Sequence, residues 1–192
     1  IGHEVTVLTE IPNHPAGVIH PDYQGKRFVH DFYENIPVYR CWVYTKKQKT
    51  FKSRILFYMS FLAAAAPAAL LWTRNRFDIL YATSPPLMVG LVGVILSKLW
   101  RIPLVLEIRD LWPESAIELG QLNKERYMKI GHAIADLCYR NASMIIGVTK
   151  GIVGQLKKKP QIPHGKIELI KNGTNPDQLR SIADSKRKNA LG

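Results

Sequence analysis

The sequence predicts an α/β fold built on a parallel sheet with helices on both faces. Three observations predict it. From Asp78 onward, short β-prone runs alternate with stretches of helical length and composition. The runs themselves, such as LVLEI and SMIIGV, are nearly continuous apolar segments, as in strands buried on both sides. Each run then ends abruptly in polar or charged residues, most plainly Arg109-Asp110 after LVLEI.

Taken in order, residues 4–9 (EVTVLT) form a short strand. Residues 11–23 carry three prolines and two histidines and read as a loop. Residues 36–44 (IPVYRCWVY) read as a second strand, and residues 55–72 are a long apolar run broken only by Ser60 and Pro67. DILYA at 78–82 is a strand, stopped by Thr83-Ser84-Pro85-Pro86. Residues 87–100 are helical, 103–108 a strand, and Ser115–Glu118 fits an S-x-x-E capping box. In 125–140, Ile130, Ile134, Leu137 and Cys138 recur at helical spacing. A strand at 143–148, a helix at 152–158 and a strand at 166–170 follow. Asn175-Pro176-Asp177 has the form of a helix start.

The 192 residues suffice for one domain with a real core. The chain opens on Ile1-Gly2-His3 and closes on KRKNALG, so a piece of a longer protein is expected, with residues 1–178 as the domain and 179–192 as a linker. Cys41 and Cys138 are too few for a disulfide framework or a four-cysteine zinc site and suit a reducing compartment. The net charge of +12 calls for a polyanionic partner: nucleic acid, anionic lipid or a phosphate-bearing substrate. Eight of the basic residues fall between Lys26 and Arg54, and Lys157-Lys158-Lys159 form a second group, which fits a solvated surface equally well.

Ligands of open α/β sheets bind beyond the carboxyl ends of the strands, where charge no longer has to be buried. Arg109-Asp110, Thr83-Ser84, Thr149-Lys150 and Asn172-Gly173 each follow a strand and are expected on one rim, where helix N-termini also favour phosphate. Thr149 is placed to cap the helix near Ile152. His14 and His20 lie in the Pro-rich loop after the first strand, which is expected on the same rim, and His14 is a candidate substrate contact. The alternative is purely structural: Ser84 and Asp110 as caps, and Arg109 paired with Glu107 or Glu114. Glu107 is unusual, a carboxylate on the strand face that also carries Arg109. There is no G-x-S-x-G, H-E-x-x-H, Walker or C-x-x-C motif, and the histidines do not pair at metal-ligand spacing.

GHEVTVLTEIPNHPAG, DILYATSPP, LVLEIRDLWPES, MIIGVTKGI and IELIKNGTNPDQL, in that order, resemble the N-terminal domain of family 4 glycosyltransferases. The bacterial envelope-polysaccharide subgroup, with its colanic-acid and fucosamine transferases, is the most similar. The resemblance spans nearly the whole chain. It implies one Rossmann-like half of a GT-B fold, here without its first strand and glycine-rich loop, facing a nucleotide-sugar-binding C-terminal domain. It implies retaining transfer to a lipid-linked or polysaccharide acceptor without a metal or cofactor, by an enzyme whose fragment is inactive alone. Arg109-Asp110 match the place of a family His-Asp pair. Arginine stays protonated, so stabilising a diphosphate or orienting a sugar hydroxyl suits Arg109 better than acid/base work. Asp110 accepts from a hydroxyl or from Arg109. His14, Ser84, Glu114, Thr149, Lys150, Asn172 and Gly173 are the expected substrate contacts.

The apolar run ending at Trp72 is shorter than the roughly 20 residues of a membrane span, contains six alanines and is interrupted by Pro67. It reads as a sheet-covering helix, as a helix lying in the membrane interface behind Lys46, Lys47, Lys49, Lys52 and Arg54, or as a span. Polyprenyl-linked acceptors, implied by the resemblance, favour a peripheral place on the inner face of the bacterial plasma membrane. A basic binding module for nucleic acid rests on charge alone, because no helix-turn-helix or zinc-finger pattern is present. A nucleotide-sugar epimerase would need acid/base residues that the Arg109 position does not offer.

Overall fold

The computed structural model describes residues 2–47, 50–72, 77–118 and 125–173. The expected helix start at Asn175 and the linker 179–192 lie outside them, as does Lys49. The described residues form strands β1 (Val7–Glu10), β2 (Phe28–Tyr33), β3 (Ile36–Cys41), β4 (Leu80–Ser84), β5 (Leu104–Ile108), β6 (Met144–Gly147) and β7 (Ile167–Leu169). The helices are α1 (Phe51–Trp72), α2 (Leu87–Trp100), α3 (Glu114–Glu118), α4 (Glu125–Asn141) and α5 (Lys150–Lys157). The alternation after Asp78 is the expected one.

The strands make two sheets. One is three-stranded in the order β1-β3-β2, with β1 parallel and β2 antiparallel to β3. The other is all parallel in the order β4-β5-β6-β7. Among the described residues, β1 and β4 are both edge strands, and Val7 and Tyr81 on them are exposed. β2 was not expected from the sequence. It pairs with β3 through the two-residue turn Glu34-Asn35, both at positive φ (48° and 67°), the backbone that lets a tight hairpin follow the strand twist. Across this hairpin Arg40 Nε meets both Asp31 oxygens at 3.0 and 3.2 Å, and the Tyr23 hydroxyl donates to Asp31 at 2.9 Å. Burial would raise the Asp31 carboxyl, but these partners outweigh it and hold it below its ordinary range.

The parallel sheet buries Leu104, Leu106, Ile108, Ile145 and Ile167 against Val94, Ala135, Cys138, Tyr139 and Leu156 of the helices. The second core joins both sheets: Phe61, Ala65, Ala68 and Ala69 of α1 meet Val92 and Leu96 of α2, with Leu8 of β1 and Leu80 of β4 packed on them. α1 therefore covers a sheet, the first of its three readings. α3 opens at Glu114, directly after Pro113, so Ser115 lies inside its first turn and does not cap it. The Ser115 amide instead donates to the Leu111 carbonyl at 2.8 Å.

Candidate functional site

The parallel register sets the site. Ser84, Ile108, Gly147 and Leu169 stand abreast across β4, β5, β6 and β7. The ladder continues one step beyond this row: Arg109 N–H donates to the Ser84 carbonyl (2.8 Å), Val148 to Ile108 (3.3 Å) and Ile170 to Gly147 (3.2 Å). Arg109-Asp110, Thr149-Lys150 and Asn172-Gly173 thus leave the sheet side by side. With about 4.8 Å between neighbouring strands, the four ends span about 14 Å.

Arg109, Asp110, Thr149, Lys150, Asn172 and Gly173 are exposed on this rim, while Ser84 lies beneath it at 2% exposure. Thr149 Oγ1 accepts from the Ile152 N–H at 3.1 Å and caps α5, as its position suggested. Gly147 is what allows α5 to start so close to the sheet, since a Cβ there would sit 2.6 Å from Val153 Cγ2.

Behind the rim, Glu107, its side chain 15% exposed, organises a polar group on the sheet face that also carries Tyr81 and Thr83. Its Oε2 accepts from Thr83 Oγ1 at 3.0 Å and lies 4.0 Å from Arg109 Nε. Tyr81 also hydrogen-bonds with it, and burial together with the Glu107 charge raises the Tyr81 phenol. Of the two carboxylates considered as partners for Arg109, the one beside it is Glu107. Glu114 is engaged elsewhere: its Oε1 takes Lys159 Nζ at 2.6 Å and lies 3.9 Å from His132, and its other oxygen is buried. Burial would raise Glu114, but the Lys159 hydrogen bond and charge outweigh it and lower it.

His14 belongs to a second group, at the end of β1. It is exposed, 3.4 Å from Glu10 Oε1, and meets the Phe57 ring edge-on. Asn13 is buried and donates to Glu10 Oε1 (3.1 Å) and to the Ile11 carbonyl (2.9 Å). Burial raises the Glu10 carboxyl against the opposing pull of Asn13 and His14. Around them is a pocket of about 170 Å³ whose wall includes Tyr44, Lys46, Phe57 and Tyr58. Gly17, at φ +69°, lets the loop touch the next one, because a Cβ would stand 3.0 Å from the Lys46 carbonyl oxygen. The exposed His14 imidazole and the Lys46 side chain, beside the aromatic rings of the pocket wall, suit a sugar hydroxyl or a phosphate.

Sequence reasoning did not single out Tyr81 or the aromatic wall of the His14 pocket. The spacing of Glu10, Asn13 and His14 was the available signal for the pocket. Among the described residues, no three His, Cys, Asp or Glu side chains converge as metal ligands do.

A family model described as a glycosyl transferase 4-like domain matches residues 2–173. No curated protein matches the chain. Among solved structures it is similar to sucrose-phosphate synthase from Thermosynechococcus elongatus, at 14% identity and a TM-score of 0.56, over 91% of this chain and 39% of that one. It is also similar to Anabaena HepE in complex with UDP and glucose, at 18% identity and a TM-score of 0.52, over 99% of this chain and 50% of that one. The chain thus spans about two fifths to one half of these structures. The likeness establishes the fold: a parallel sheet with flanking helices, matching half of a GT-B glycosyltransferase.

Proposed function

The chain belongs to the glycosyl transferase 4-like domain family, and from that premise we propose that it is the acceptor-binding half of a retaining glycosyltransferase. In this reading a nucleotide-sugar donates to a lipid-linked or polysaccharide acceptor in bacterial envelope-glycan synthesis, as in the colanic-acid and fucosamine transferases. The enzyme works at the inner face of the plasma membrane. The donor assignment is supported by HepE, which was solved with UDP and glucose. A strand from outside the described residues would join the open edges of β1 and β4, since Leu8 and Leu80 already share one core.

The observation that carries the proposal is the aligned rim. Arg109 reaches beyond the sheet from a strand held on both sides, with Glu107 4.0 Å from its guanidinium. A guanidinium opposite a departing nucleoside diphosphate stabilises the charge that grows as the glycosidic bond breaks, without moving a proton. Asp110, next along, accepts a hydrogen bond from an acceptor or donor hydroxyl. Lys150, at the start of α5, adds a cation on the same rim. The His14 pocket receives a part of the acceptor. Binding through several strand ends fixes the two substrates in relative orientation, and much of the rate comes from that orientation.

The test is Arg109→Ala in the full-length enzyme, assayed for sugar transfer. Loss of an electrostatic contact of this kind lowers kcat by about 10²–10³-fold, with the melting temperature unchanged because Arg109 is half-exposed. Unaltered turnover would remove Arg109 from the mechanism.

A further inference from the structure

Helix α1 is apolar all round, yet it is not buried all round. Its inner residues Phe61, Ala65, Ala68 and Ala69 are in the core. Lys52, Ile55, Leu56, Met59, Ala63, Pro67, Leu70 and Leu71 are exposed. These positions recur at three- and four-residue steps, so they form one stripe along a helix of 22 residues, about 33 Å long. A surface helix ordinarily carries its charges on this face. Here none occurs from Ile55 to Leu71, and Leu71 is 74% exposed.

The stripe does not stand alone. At its N-terminal end are Lys52 and the exposed Lys46 and Lys47. On its flank, Ser60, Ala63 and Ala64 form one wall of an open groove of about 690 Å³, whose other wall holds Lys26, Arg27, Phe28 and Trp42. The surface therefore combines a long apolar ridge, a half-exposed tryptophan and cations at its edge. Tryptophan and lysine favour the headgroup level of a bilayer, and aliphatic side chains the layer beneath.

We propose that the outward stripe of α1 docks the chain on an anionic lipid bilayer, with the helix lying flat in the interface. The run that counts as too short from Ile55 extends within the helix from Lys52 to Leu71, 20 residues that are long and apolar enough to cross a membrane, with a mean hydropathy of 1.7. Its inner face is committed to the core, however, so flat docking is the arrangement the packing allows. A second copy of the chain is the other apolar surface at hand, but a net charge of +12 on each copy opposes it and favours an anionic surface. The inference deepens the membrane location proposed above and uses none of the transfer chemistry.

The experiment is flotation of the full chain with vesicles of phosphatidylcholine alone or with phosphatidylglycerol added, at low and high salt, in the absence of any sugar donor. Binding is expected only with phosphatidylglycerol and weakens with salt. Lys46→Ala and Lys47→Ala each weaken it about fivefold, the equivalent of about 1 kcal/mol per cation at an anionic surface. Leu56→Glu with Leu71→Glu abolishes it while thermal unfolding stays cooperative at an unchanged temperature, since both side chains are exposed. Arg109→Ala binds as the unmodified chain does, which separates failure here from failure of the transfer reading. Equal binding to neutral vesicles, or binding indifferent to the paired glutamates, overturns the proposal. So does a dimer in ultracentrifugation that the glutamates dissolve when no vesicle binding is seen.

Discussion

The two sheets are held differently. Among the described residues, the parallel sheet gives its core large aliphatic side chains from three strands, and fourteen buried residues pack into one cluster with the helices. Among the same residues, the three-stranded sheet shares a cluster of eight, four of them residues of α1 and three of those alanines. Its β2 leaves Phe28, Phe32 and Tyr33 exposed. Local stability follows buried apolar contact. The better-packed sheet presents the Arg109 rim, where charge must be aimed. The lighter one presents the His14 pocket, whose walls come from two loops and the first turns of α1. Under the proposed reading, the rim is the firmly packed reference, and the pocket, walled in part by loops, is the part more able to adapt to an acceptor.

The largest effect that would break this contrast is a pair of core truncations. Leu104→Ala, fully buried in β5, is expected to cost about 3 kcal/mol. Val43→Ala, equally buried beside the three-stranded sheet, removes less and is expected to cost about 1–2 kcal/mol. Urea denaturation measures both. Equal losses would mean that the two cores are equally constrained.

The carboxylates sharpen the contrast at intermediate size. Glu114 is lowered, so the stability it contributes is present above its unfolded pKa and is lost as pH falls through the folded value. Glu10 is raised, so its contribution is present below the unfolded pKa and is lost as pH rises through the folded one. Glu114→Gln is therefore expected to destabilise at neutral pH by about 1 kcal/mol, a discounted figure for a partly exposed pair. Glu10→Gln should be neutral or slightly stabilising there, because the amide keeps an acceptor for Asn13. Thermal unfolding at pH 7 and pH 4 distinguishes them. If the two variants share one pH dependence, the assignments are wrong.

The smallest difference is between the cysteines. Cys41 and Cys138 sit in different cores, yet burial pushes both thiols up to about 12. Both should resist alkylation at pH 8 until the chain unfolds. Modification of Cys41 alone in the native chain would show the lighter half opening first, and would sharpen the contrast further.

The parallel half was the more legible of the two. Its strands are apolar runs bounded by Pro, Ser or Lys, and polar strand ends in α/β sheets fall on one rim, so Arg109, Asp110, Thr149 and Lys150 were placed from local signals. β2 was hidden because FVHDFY sets His30 and Asp31 mid-strand and its turn is Glu34-Asn35 rather than a glycine pair. The Glu114–Lys159 bond joins residues 45 apart, which no local pattern reveals. Ser115 has the spacing of a cap, but Pro113 starts the turn earlier. The outward stripe of α1 was not separable from its core face, since a helix apolar on every side has no periodicity to read.

The row Ser84–Ile108–Gly147–Leu169 acts as a baseline from which several loops are launched. Each loop begins beyond a hydrogen-bonded stop, so it can be exchanged without moving its neighbours. Deleting one residue inside Leu104–Ile108 is another matter. It would turn the buried side chains of that strand to the opposite face and draw Arg109 into the sheet. Selection can therefore vary this rim one loop at a time, by replacement after the baseline, while length changes before it are closed off.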